Sequence, residues 1–128
     1  MLHEALSTMN LMITLSLFLN IAVLVPVCAG LVMNARWAVE CYGAATQARG
    51  VLLSVYLALL KASVLLLLAC DPKLVVALLS VQVAYKLTTP FTVGTLVNPV
   101  VVSNLGIAAF HVITLTLIWQ WALASPMN

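Results

Sequence analysis

The stretch 50–70, GVLLSVYLALLKASVLLLLAC, decides the fold. It carries a single charge, Lys61, and it has the ~20-residue apolar length that a helix needs to cross the ~30 Å hydrocarbon core of a bilayer. Its leucines and valines follow one another without the in-and-out alternation of a membrane barrel strand. Three further stretches read the same way, which places spans at 9–33, 50–70, 74–93 and 100–124. The whole chain agrees with this reading: 128 residues are 65% hydrophobic and 6% charged, with mean hydropathy +1.21. Soluble domains carry about 25% charged residues, so this chain lacks the charge to cover itself in water. The sequence therefore predicts one domain over 1–128, an all-α integral membrane protein built as a four-helix transmembrane bundle with short loops.

The turns are legible too. Asp71-Pro72 and Asn98-Pro99 each pair a good N-cap residue with a proline suited to the first helical position. Between the first two spans lies a loop with Arg36, Trp37, Glu40, Tyr42 and Gly43. The third span is the least regular: Tyr85, Lys86, Thr88, Thr89 and Pro90 dilute its second half, so helix either stops near Thr89 or kinks at Pro90 and continues towards Gly94. Segment 25–30, VPVCAG, loosely resembles a signal-cleavage region, but the start lacks a positive n-region and the apolar run continues to Met33, which favours a retained span. Trp37, Trp119 and Trp121 suit an interfacial aromatic belt.

Net charge is +2, from five Lys and Arg against three Asp and Glu. No basic cluster exists to bind nucleic acid or to recognise anionic lipid by a polybasic patch. Arg36 and Arg49 in the first loop outweigh Lys73 in the second, so the positive-inside rule puts loops one and three in the cytoplasm and both termini outside. The expected location is a bacterial inner (cytoplasmic) membrane. The three cysteines form no CxxC, and Cys70 falls at the face opposite Cys28 and Cys41, so unpaired thiols are expected.

The informative residues are polar ones at membrane depth. Asn20, Lys61 and His111 fall about 15 to 18 Å from a face at 1.5 Å per residue, Gln82 lies close to that level, and Lys86, beside Tyr85, sits nearer the face of loops one and three. Ser54 and Lys61 are seven apart, as are Asn104 and His111, while Gln82 and Lys86 are four apart; these spacings keep each pair on one helix face. Lipid offers such groups no partner, so they are expected to turn inward into a polar centre fed by all four spans. No span interior holds Asp or Glu. Lys61 therefore needs a neutral amine, an external anion or an escape to an interface, and its midplane depth opposes escape. Lys86 is expected to snorkel towards the interface. His111 is expected to hydrogen-bond Asn20, Thr114 or a water, with proton transfer or ligand contact as the alternative.

No cofactor or metal is expected. A haem between helices needs two axial ligands and the only other histidine, His3, lies outside the spans; zinc lacks a ligand set. GxSxG, Walker and CxxC motifs and paired intramembrane carboxylates are absent, so an enzyme is the least favoured class. In size and span number the chain resembles DoxX-like small four-span bacterial proteins. That resemblance covers shape and implies no site residue. Small multidrug exporters carry a first-span glutamate at the depth where Asn20 stands here, and mercury carriers carry paired cysteines that this chain lacks. The functional expectation is an accessory or assembly subunit or a binder of a lipophilic anion, with a homodimeric or proton-coupled carrier as the alternative. The partners expected are membrane lipids and either a homo-oligomer or a larger membrane complex, and the candidate contact residues are Lys61, His111, Lys86, Gln82, Asn20, Asn104 and Tyr85.

Overall fold

A computed structural model describes residues 1–125. Its elements are α1 (Leu2–Val32), α2 (Arg36–Tyr42), α3 (Gln47–Ala69), α4 (Pro72–Val93) and α5 (Pro99–Ala124). The four long helices are each long and apolar enough to cross a membrane, so the protein is an all-helical membrane bundle.

Local chemistry sets the boundaries. Asp71 accepts from Lys73 N at 2.9 Å and Asn98 accepts from Val100 N at 2.8 Å, each satisfying an orphan amide at the start of a helix whose first residue is proline. The helix α3 ends on Cys70 in the left-handed conformation at φ 51°, and α4 ends on Gly94 at φ 77°, where glycine carries no Cβ penalty. Of the two readings of the third span, the structure follows the longer: α4 passes through Pro90 to Val93. Thr88 and Thr89 donate to Tyr85 O at 2.7 and 3.0 Å, and Thr92 reaches Thr88 O and Thr89 O. Threonine hydroxyls thus turn back onto helix carbonyls on either side of Pro90 and do not project as free polar groups.

Two features lie beyond what the spans alone describe. Helix α1 begins at Leu2, about two turns before the expected span, and its 31 residues would extend about 46 Å, well beyond the ~30 Å core. The first loop is also not irregular: it holds α2, which lies against α1. The ring of Trp37 on α2 covers Gly30 on α1 so closely that a Cβ at Gly30 would collide with it.

Helices pack in the cyclic order α3, α1, α5, α4, with α3 and α4 touching only sparsely. The interior is layered. Towards the end that holds the termini and the α3–α4 turn, Met9, Ile13, Leu17, Leu66, Val75, Leu79 and Ile118 form a closed apolar cluster. Towards the other end, Leu24, Cys28, Leu31, Ala38 and Tyr56 form a second. A polar layer lies between them.

Candidate functional site

Every polar side chain in this layer comes from a helix position spaced to face the bundle axis: Ser16 and Asn20 on α1, Ser63 on α3, Gln82 and Lys86 on α4, and Asn104, His111 and Thr114 on α5, all buried. Asn20 Nδ2 donates to Ser63 Oγ at 3.2 Å, and Ser63 in turn donates to Leu59 O at 2.8 Å. That leaves Asn20 Oδ1 facing His111 Nε2 at 2.9 Å, with Gln82 Oε1 at 3.2 Å from the same nitrogen. Two carbonyl oxygens around one ring nitrogen require Nε2 to carry the proton and donate to both. His111 Nδ1 and Gln82 Nε2 have no partner although both are buried. One turn towards the terminal cluster, Ser16 and Thr114 hydroxyls meet at 2.7 Å.

The second part of the site lies nearer the face of loops one and three. Lys86, 5% exposed, donates from Nζ to Asn104 Oδ1 at 3.0 Å, and Asn104 Nδ2 donates to Thr89 Oγ1 at 3.2 Å. The ammonium also lies 4.9 Å from the centroid of the Tyr85 ring, within cation–π range. The only ion pair among the described residues is the exposed Arg36–Glu40 contact in α2. Lys86 is therefore a buried cation held by one neutral amide oxygen and an aromatic face.

Beside it opens a cleft of about 590 Å3 between α3 and α4, lined by Tyr42, Tyr56, Tyr85, Thr89, Thr92 and Asn104 among others, with Glu40 at its loop-one end. Sparse α3–α4 packing is what leaves it open. Tyr42 and Tyr56 meet edge to face, with ring centroids 6.1 Å apart at 77°. Burial, and then the neighbouring Tyr56, push the Tyr42 phenol well above its usual range. The cleft thus offers neutral hydroxyls and π faces along its walls and one cation behind Asn104 and Tyr85. A larger concavity, about 670 Å3, lies on the outer surface between α4 and α5 around Val76, Leu115, Trp119 and Trp121. It contains none of the buried polar layer.

The sequence-predicted residues divide as follows. Asn20, Gln82, His111, Asn104 and Lys86 are brought together in the interior, with Tyr85 at the cleft wall. Lys61 is not: it is exposed on the outer face of α3, as is Ser54. The expected polar centre still draws on all four spans, but α3 contributes Ser63 and, at the cleft, Tyr56. The reason is azimuthal. Ser54 and Lys61 form one row on α3, and Tyr56 and Ser63 form another displaced by two residues, about 200° around the helix; the bundle buries the second row. The expectation for Lys86 is also reversed, since it is buried rather than snorkelled. Arg49 was not anticipated as a structural group: its guanidinium donates to Gly43 O and Asn34 Oδ1, both at 2.6 Å, pinning the ends of the first loop to α3. A lone arginine just ahead of an apolar run beside a Gly-containing loop was the available signal. The three thiols are unpaired, Cys28 buried and Cys70 exposed. No three His, Cys, Asp or Glu side chains gather as a metal group among the described residues. No protein-family model, curated protein or solved structure matches the chain.

Proposed function

We propose that the protein is a non-enzymatic binder of a lipophilic anion, which enters the α3–α4 cleft from the bilayer and sets its charged head towards Lys86 while its chain lies against Tyr56 and Tyr85. The observation that carries this reading is Lys86: a buried ammonium next to an open cleft, with no carboxylate paired to it, the cleft's own Glu40 being exposed and paired to Arg36. A cation out of water is costly unless an opposite charge compensates it. The head group would replace or share the Asn104 contact, and the cleft walls supply hydroxyl donors for its remaining oxygens. A binder fits better than a carrier. Apolar clusters fill the bundle on both sides of the polar layer, which leaves a lateral cleft beside Lys86 and no polar path along the bundle axis.

The protein is reconstituted in nanodiscs and titrated with oleate and, as the neutral control of equal chain length, oleyl alcohol. Oleate is expected to bind saturably and the alcohol weakly. Lys86→Met is expected to weaken oleate by about tenfold or more, the effect of removing one partner of a desolvated charge pair, while Lys61→Met leaves it unchanged. Equal binding of acid and alcohol, or full oleate binding by Lys86→Met, overturns the reading.

We further propose a cytoplasmic-membrane orientation with loops one and three in the cytoplasm of a bacterium and both termini outside. Its support is the placement of Arg36 and Arg49 at the loop-one end against Lys73 alone at the α3–α4 turn.

A further inference from the structure

Lys61 lies on the exposed face of α3, about 21 Å along the helix from Gln47 and about 12 Å from Ala69. Helical side chains lean towards the helix N-terminus, so this one leans away from its nearer membrane face, and the face it leans towards is beyond the reach of a lysine. The ammonium therefore has no easy exit to water. A lipid phosphate is no answer, because phosphates lie in the head-group region and not at this depth. Nor is a second copy, since no span of this chain carries Asp or Glu at that depth. The surroundings of Lys61 are those of a helix contact. Gly50, Ser54 and Ala58 are exposed at four-residue spacing along the same side, and half-buried Ala62 continues the row. The Ser54 hydroxyl is turned back onto Gly50 O at 3.2 Å and does not project. A Cβ at Gly50 would meet nothing. Of the four spans, α3 is also the one least covered by the rest of its own chain.

We infer that this face of α3 docks a transmembrane helix of another protein that carries a carboxylate at mid-membrane depth, with the partner backbone running along Gly50, Ser54 and Ala58 and its carboxylate paired to Lys61. Charge complementarity selects the partner, and the small residues let the two backbones approach. The cleft lies on the other side of α3, so this interface is independent of anion binding.

The test uses synthetic leucine-rich transmembrane peptides with a central Asp, Asn or Leu, each carrying an acceptor dye. They are reconstituted in liposomes with the full chain labelled at exposed Cys70 in a Cys41→Ser background. The Asp peptide is expected to associate about tenfold more tightly than the Leu peptide, a difference within reach of one interhelical polar contact, with Asn in between. Lys61→Met is expected to abolish that preference and Lys86→Met to leave it intact. Ala58→Leu is expected to weaken all three peptides by blocking approach. Equal association of the Asp and Leu peptides, an Asp preference that survives Lys61→Met, or energy transfer between copies of the labelled chain that displaces the peptide would each overturn the proposal.

Discussion

At the scale of single residues, His111 organises the polar layer by giving one N–H to two carbonyl oxygens on two other helices. The energetics follow from who is left unpaired. Asn20→Leu removes one acceptor and leaves His111 its second, Gln82, so the loss is expected to be about 1 kcal/mol, within the range of interhelical hydrogen bonds in membranes. His111→Leu strands both Asn20 Oδ1 and Gln82 Oε1 and is expected to cost more. The double substitution is expected to cost less than the sum, because the Asn20 oxygen that His111→Leu strands is then gone too. Reversible unfolding in mixed SDS micelles measures all three, and strict additivity would mean that the Asn20–His111 contact carries no energy. The same residues show what a sequence can tell about such a site. Depth was legible, since a rise of about 1.5 Å per residue along each span puts Asn20, Gln82 and His111 at one level. Azimuth was not. Both sides of α3 are rich in leucine, so no amphipathic stripe marks which of its two polar rows faces inward, and Lys61 lies on the outer face of α3 while Lys86 is buried.

At the scale of elements, the four spans and the two capped turns were legible because length, charge and Asx-Pro pairs are local signals, whereas α2 was hidden because its seven residues acquire their helix from what they lie on. Trp37 seats on Gly30, and Arg49 ties the far end of the loop to α3. Gly30→Leu is expected to unseat Trp37: in a Trp119→Phe, Trp121→Phe background the remaining indole should change its emission wavelength, while the spans keep their helicity. Unchanged Trp37 emission would mean that the α1–α2 contact is not held in the membrane. Arg49→Met, which leaves Gly43 O and Asn34 Oδ1 without their charged donor, is expected to destabilise by about 1.5 to 3 kcal/mol and to raise proteolysis within residues 33–47 specifically. Cleavage there no faster than in the unaltered chain would count against the pinning role of Arg49.

At the scale of the whole molecule, the bundle is asymmetric along the membrane normal: the hydroxyl-lined cleft lies towards the loop-one end, and the concavity towards the other end, around Val76, Trp119 and Trp121, has mostly apolar walls. Direction in the membrane would therefore decide from which leaflet and which compartment the proposed anion reaches Lys86. The charge bias that sets direction is small, two arginines at one end against Lys73 at the other, and a single substitution is enough to cancel it. Two thiols report it without any change to the chain. Cys41 sits at the loop-one end and is partly exposed, and Cys70 is exposed at the α3–α4 turn. With the cytoplasmic loops proposed above, a membrane-impermeant maleimide applied to intact spheroplasts is expected to modify Cys70 and spare Cys41 until the membrane is opened. The reverse pattern would invert the protein and move the cleft to the outer leaflet. Equal modification of both thiols on closed cells would mean that the chain inserts both ways, in which case the cleft serves both leaflets, and Lys73→Ala, which widens the bias, should restore the single pattern in which only Cys70 is labelled.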